Sequence, residues 1–114
     1  MTGDDPAVAR LLGLGLRARR VVVGVAGVRA RLARKGRGGL ACVVVAADAS
    51  PRTRDKVERL AAALGVPVLR GPDAERLGAG LGRTAVQAVG VRDHALARGL
   101  AAVIGGVSAN DTGA

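Results

Sequence analysis

At 114 residues and 11.3 kDa the chain has the size of one domain, and 49% hydrophobic content with a mean hydropathy of +0.28 excludes wholesale disorder. No apolar run reaches the roughly 20 residues of a membrane span, and the single cysteine excludes an internal disulfide framework or a multi-cysteine zinc site. Net charge is +9, and of 18 basic residues only Lys35 and Lys56 are lysines, so the planar fork of arginine dominates and points to an anionic polymer as partner.

In chain order, Val8, Leu11, Leu12 and Leu16 recur at helical spacing and predict a helix over 5–18, weakened by Gly13 and Gly15. Val21–Val23 is a short β-branched run. Gly24 opens a second helix with Val25, Val28 and Leu32 on its buried face and Arg31, Arg34 and Lys35 on one exposed side; Arg37, Gly38 and Gly39 end it. Leu40–Ala47 is a continuous apolar run, the pattern of a strand covered on both faces. Ser50 can cap the next helix, Pro51 suits its first turn and Gly65 can close it. Within it Val57, Leu60, Ala61 and Leu64 form the apolar stripe, and Asp55 and Arg59 an i, i+4 pair outside. Val66–Leu69 is the following strand, which completes a parallel βαβ unit. Asp73 caps a short helix through Leu77, Ala85–Val91 is another strand, and Asp93 caps a last helix over Ala95–Ile104. Residues 1–106 are expected to form the single domain and 107–114 a frayed tail. Alternating helices and strands imply an α/β protein, a three-layer α/β/α sandwich around a small mixed four-stranded sheet.

The charge is uneven along the chain. Residues 1–37 hold nine basic residues against Asp4 and Asp5, whereas 38–114 hold nine against seven acids. A merely solvated surface mixes both signs, so the first third is expected to carry a binding patch. With no Phe, Trp or Tyr in the chain, folds that stack bases on aromatic rings are disfavoured, and a nucleic-acid partner must be held by charge, backbone donors and shape. The opening residues carry acids and no basic segment, unlike a secretory leader, and the expected compartment is the cytosol.

No catalytic constellation emerges. His94, the sole histidine, follows a capping Asp and reads as a helix-start residue; Cys42 sits in the most apolar strand with nothing in sequence to depress its pKa. Asp48 beside Ser50 and Pro51 suits a turn or cap. Gly78, Gly80 and Gly82 follow a helix instead of a strand, so they lack the phosphate-cradle arrangement of a dinucleotide fingerprint. No cofactor or metal is implied. The segment Arg17–Gly27, RARRVVVGVAG, stands out: Arg17, Arg19 and Arg20 precede a short strand and then a helix N-terminus bordered by glycine. Unpaired N–H groups and the positive end of the helix dipole converge there, Gly24 and Gly27 present no side chain to a nucleic-acid backbone, and Arg29, Arg31 and Arg34 follow along the helix.

Five pieces of the sequence, in order, carry a resemblance over Leu11 to about Leu100: LLGLGLRARRVVVG (Leu11–Gly24), VVVAADASPRTRDKV (Val43–Val57), GVPVLRG (Gly65–Gly71), ERLGAGLGR (Glu75–Arg83) and AVQAVGVRD (Ala85–Asp93). The chain resembles the kink-turn RNA-binding family of ribosomal proteins, archaeal large-subunit proteins and their small bacterial homologues. The resemblance implies the same three-layer sandwich. In that family the second helix starts Gly-x-Asn-Glu with a lysine three residues on, reading sheared G·A pairs, while a loop before the last strand covers the bulged nucleotides. Carried over, the helix start is Gly24, Val25, Ala26 and Gly27 and the loop is Gly82, Arg83 and Thr84; Ala26 and Gly27 stand where the family has Asn and Glu, and Ala30 replaces the lysine. The resemblance implies a non-enzymatic, ribosome-associated protein, monomeric when free, that binds structured RNA, ribosomal RNA foremost, with no membrane partner. Two other readings stay open: a protein-interaction module that has lost specific RNA reading, and a substrate-recruiting fragment of an RNA methyltransferase.

Overall fold

The computed structural model describes residues 5–34 and 39–104. Nine elements alternate along it: α1 (Asp5–Arg17), β1 (Val21–Val23), α2 (Val25–Leu32), β2 (Cys42–Val45), α3 (Pro51–Ala63), β3 (Val68–Arg70), α4 (Ala74–Gly80), β4 (Ala88–Val91) and α5 (His94–Ile104). The elements expected from sequence are all present. β1 matches its expected run, whereas β2, β3 and β4 are shorter than the runs that announced them, because residues such as Leu40, Ala41, Ala46 and Val66 are buried as loop residues flanking the ladders. The predicted tail and the Lys35–Gly38 end of the second helix lie outside the described residues.

The strands form one mixed sheet in the order β1-β4-β2-β3. β2 and β3 pair in parallel (Val44 opposite Leu69), as the intervening α3 requires, while β4 runs antiparallel to both β1 and β2 (Val22 and Val43 opposite Gly90). α2 and α3 cover one face, and α1, α4 and α5 the other. The expected three-layer α/β/α sandwich is therefore the observed fold. Both faces of β2 and β4 are buried, which is why they read as unbroken apolar runs.

Local chemistry sets the helix ends. The Thr53 N–H donates to Ser50 Oγ at 3.2 Å with Pro51 in the first turn, and Gly65 at φ 71° closes α3. The Asp55–Arg59 pair forms at 2.7 Å on the exposed side. On the other face, α1 and α4 cross so closely that a Cβ on Gly80 would stand 2.7 Å from the Cα and carbonyl oxygen of Ala9. Glycine in these helices thus permits backbone contact, which offsets its poor helix propensity.

Candidate nucleic-acid interface

Sheet topology gathers four segments at one edge. β1, β2 and β3 end there and β4 begins there. The Gly24 N–H donates to the Ala88 carbonyl (2.9 Å), Ala46 to Gln87 (2.9 Å), and Ala47 to Pro72 (3.0 Å). The starts of α2, α3 and α4 consequently share this edge with the loop 82–87.

These helix starts differ in how their N–H groups are satisfied. Ser50 caps α3. At α4, Asp73 accepts from Arg76 N–H (2.9 Å) and Asp48 Oδ1 accepts from Ala74 N–H across the edge (2.8 Å). The turn-or-cap role expected of Asp48 is thus realised on a neighbouring helix. Gly24 caps α2 with φ 98° and ψ 154°, a conformation essentially confined to glycine, and offers no side-chain acceptor. The first bond inside α2 is the Val28 N–H to the Gly24 carbonyl at 3.0 Å, so the N–H groups of Val25, Ala26 and Gly27 have no intrahelical acceptor. No acid lies in the first turn of α2, so its dipole is left uncompensated.

Ala26 and Arg29 are exposed near this tip and Arg34 is exposed beyond the other end of α2, while Val25, Gly27 and Arg31 are half-buried. Arg31 therefore does not stand out with Arg34 as the spacing alone suggests. Arg83 and Thr84 are exposed on the loop, held by the Arg83 N–H to the Gly78 carbonyl (2.8 Å) and the Val86 N–H to the Ala74 carbonyl (2.9 Å), with Gly82 turning at φ 71°. Gln87, exposed beside the α2 tip, was hidden within the apolar stretch Ala85–Val91. Its being the one polar side chain in that run was the available signal.

The structure does not bring Arg17, Arg19 and Arg20 to this tip. They occupy the opposite edge, where α1 ends and β1 begins, and the Arg92 N–H donates to the Arg20 carbonyl there (2.7 Å). Four strand steps separate Arg20 from Gly24, about 13 Å. Arg19 sits at φ 61° in a turn that closes α1, with its own N–H on the Leu16 carbonyl and that of Arg20 on Gly15. The charge of Arg20 faces Asp93, whose carboxyl is held below its ordinary range first by the Leu96 N–H, then by Ala95 and by Arg20. α2 runs back from Gly24, so Arg34 also points toward this second edge. The cations expected to form one patch therefore divide between two ends of the molecule, because a strand with its returning helix carries chain neighbours apart.

Cys42 is buried and its thiol is pushed up to about 12 by desolvation, the behaviour of a packed small hydrophobe. His94 is exposed at the start of α5. Among the described residues no three His, Cys, Asp or Glu side chains converge as metal ligands, and no helix is long and apolar enough to cross a membrane.

The arrangement is a mixed-sheet α/β/α sandwich with one helix tip lacking a side-chain cap beside an arginine-bearing loop. Residues 7–100 match the Ribosomal protein L7Ae/L30e/S12e/Gadd45 family, and the chain belongs to it. Among solved structures it is similar to a protein of unknown function from Bacillus halodurans C, with 28% identity, a TM-score of 0.77, and 86% of this chain and 96% of that one covered. It shares its fold with the 15.5kD RNA binding protein of Giardia lamblia, at 21% identity and a TM-score of 0.70, covering 89% and 84% of the two chains. No curated protein matches it.

Proposed function

We propose that this protein is a non-enzymatic, ribosome-associated binder of structured RNA that docks the α2 tip and the Arg83–Thr84 loop on a bent or kink-turn-like site. The observation that carries the reading is the pair formed at one sheet edge: the uncapped N–H groups of Val25, Ala26 and Gly27 beside the exposed 82–87 loop. Three N–H donors at the positive end of a helix suit phosphate oxygens, and Gly24, where a Cβ would meet nothing within 4 Å, leaves room for a backbone to approach. Family membership, the RNA-binding protein of like fold and the net charge of +9 support the same reading. Arg29 on α2 and Arg83 on the loop then neutralise phosphates, while Arg17, Arg19, Arg20 and Arg34 serve only an RNA long enough to reach the far edge. Ribosomal RNA in the cytosol is the expected target, met by a monomer. Ala26 and Gly27 carry no base-reading group, so affinity rests on phosphate and shape contacts and falls steeply with salt.

The test is a filter-binding titration of a kink-turn RNA against salt with the wild type and an Arg29→Ala, Arg83→Ala variant. Losing two phosphate contacts lowers the log–log salt slope by about 1.4–1.8; an unchanged slope would falsify the docking. The missing base-reading side chains also favour a protein-interaction module, which predicts sedimentation with ribosomes that ribonuclease treatment leaves unchanged.

A further inference from the structure

α2 and α3 lie side by side on one face of the sheet and both begin at the edge of the candidate interface. Between them runs a groove of about 430 Å³ lined by Arg29 of α2 and by Lys56, Arg59, Leu60 and Ala63 of α3. The α3 members are spaced by three, four and seven residues and so share one side of that helix. The groove therefore has cationic walls, an aliphatic floor of Leu60 and Ala63, and no carboxylate in its lining. Asp55 engages Arg59 at 2.7 Å, but among the described residues no carboxylate pairs with Arg29 or Lys56. The whole layer is cationic: α2, α3 and the turn after α2 carry seven basic residues against Asp55 and Glu58.

We infer that this groove is a second, sequence-independent RNA contact that carries the sugar–phosphate strand onward from the α2 tip, with phosphates on Arg29, Lys56 and Arg59 and ribose carbons on Leu60 and Ala63. It rests on the RNA-binding reading above and extends it to a surface outside the tip and loop. Continuity supports it, since Arg29 lies five residues beyond Gly24, about 7.5 Å along the helix, and Ala63 closes the groove about 20 Å from the edge. Aliphatic side chains can neither stack on a base nor pair with its edges, so the groove follows the backbone of a stem instead of reading its sequence. An acidic amphipathic protein helix could use the same walls and floor. RNA is favoured because the positive charge runs past the groove along the whole layer and back to the tip.

The experiment compares wild type with Lys56→Ala, Arg59→Ala, two exposed positions whose replacement should leave far-UV circular dichroism unchanged. The probes are a kink-turn RNA with extended stems and the same RNA trimmed to the kink. On the extended RNA the variant should lose about 1.4–1.8 from the salt slope, so that affinities converge near 1 M and differ by about 25- to 60-fold at 0.1 M. On the trimmed RNA the two proteins should bind alike. Asp55→Asn frees Arg59 and should tighten the extended RNA several-fold at low salt. Equal slopes for variant and wild type on the extended RNA overturn the inference while leaving the tip reading intact. So does capture in the groove of a synthetic acidic leucine-bearing helical peptide that leaves RNA binding undisturbed. Failure of the wild type to bind either RNA overturns both readings.

Discussion

Replacing Ala26 by Asn and Gly27 by Glu places at the α2 tip the two side chains through which the resemblance has the family read sheared G·A pairs. Ala26 is exposed, so Asn enters without displacing anything. Gly27 is tighter, because a Cβ there lies 2.9 Å from Val22 Cγ1 on the edge strand. Val22 is stiff at χ1 and must move by about half an ångström, which costs about 1–3 kcal/mol. Against this, Glu for Gly returns about 0.5–0.8 kcal/mol of helix propensity, and a carboxylate in the first turn about 0.3–1 kcal/mol from the helix dipole. The double variant should therefore lose no more than about 2 kcal/mol of folding stability. A bidentate base contact discriminates by about 1–3 kcal/mol; taking the lower figure for each side chain gives about 2 kcal/mol, roughly thirtyfold. The assay is an electrophoretic shift of a kink-turn and a plain duplex of equal length at one salt concentration. The ratio of the two affinities should rise about thirtyfold in the double variant and about fivefold with Ala26→Asn alone. A ratio that stays at the wild-type value, with both variants folded, refutes the placement of this tip against G·A pairs.

Other outcomes concern the fold. Gly80→Ala drives a methyl into the Ala9 backbone at 2.7 Å, which cannot yield as a side chain can; the variant should lose about 2 kcal/mol and about 8 °C in Tm by circular dichroism. Arg19→Gly relieves the φ of 61° and should raise stability by about 1 kcal/mol in urea unfolding, with no loss expected at the α2 tip. Asp73 and Asp93 are held below the usual carboxylate range, foremost by the Arg76 and Leu96 N–H groups respectively. A lowered folded-state pKa means that the folded chain favours the ionised form. Their contribution is thus complete above about pH 4 and lost as pH falls through the lowered values. Asp73→Asn with Asp93→Asn keeps capping oxygens but no titration, so urea midpoints should decline more shallowly below pH 4 than in the wild type.

Much of the architecture was legible because its causes are local. Ser50, Asp73 and Asp93 each accept from a backbone N–H three residues on, so a cap and its helix start appear together in the chain. The parallel pairing of β2 and β3 follows from the helix between them. Strand lengths were less legible, since burial of Leu40, Ala41, Ala46 and Val66 makes loop residues as apolar as ladder residues. Gly78 and Gly80 were expected beyond a helix ending at Leu77 but lie inside α4, and only the approach of Ala9, some seventy residues away in sequence, explains a glycine at position 80.

The residues by themselves determined the sandwich class, the helix caps, the excess of arginine and the lack of a side-chain acceptor at Gly24, because each depends on composition or on neighbours within a few positions. Which cations share a surface was decided by tertiary structure alone. Counting along the chain grouped Arg17, Arg19 and Arg20 with the α2 tip, but β1 carries them to the far edge. The packing of α2 on α3 substitutes Lys56 and Arg59, from the part of the chain after residue 37, whose charges nearly cancel. Electrostatic patches are sums over space, and a strand of three residues is enough to move a charge beyond a Debye length of about 8–10 Å.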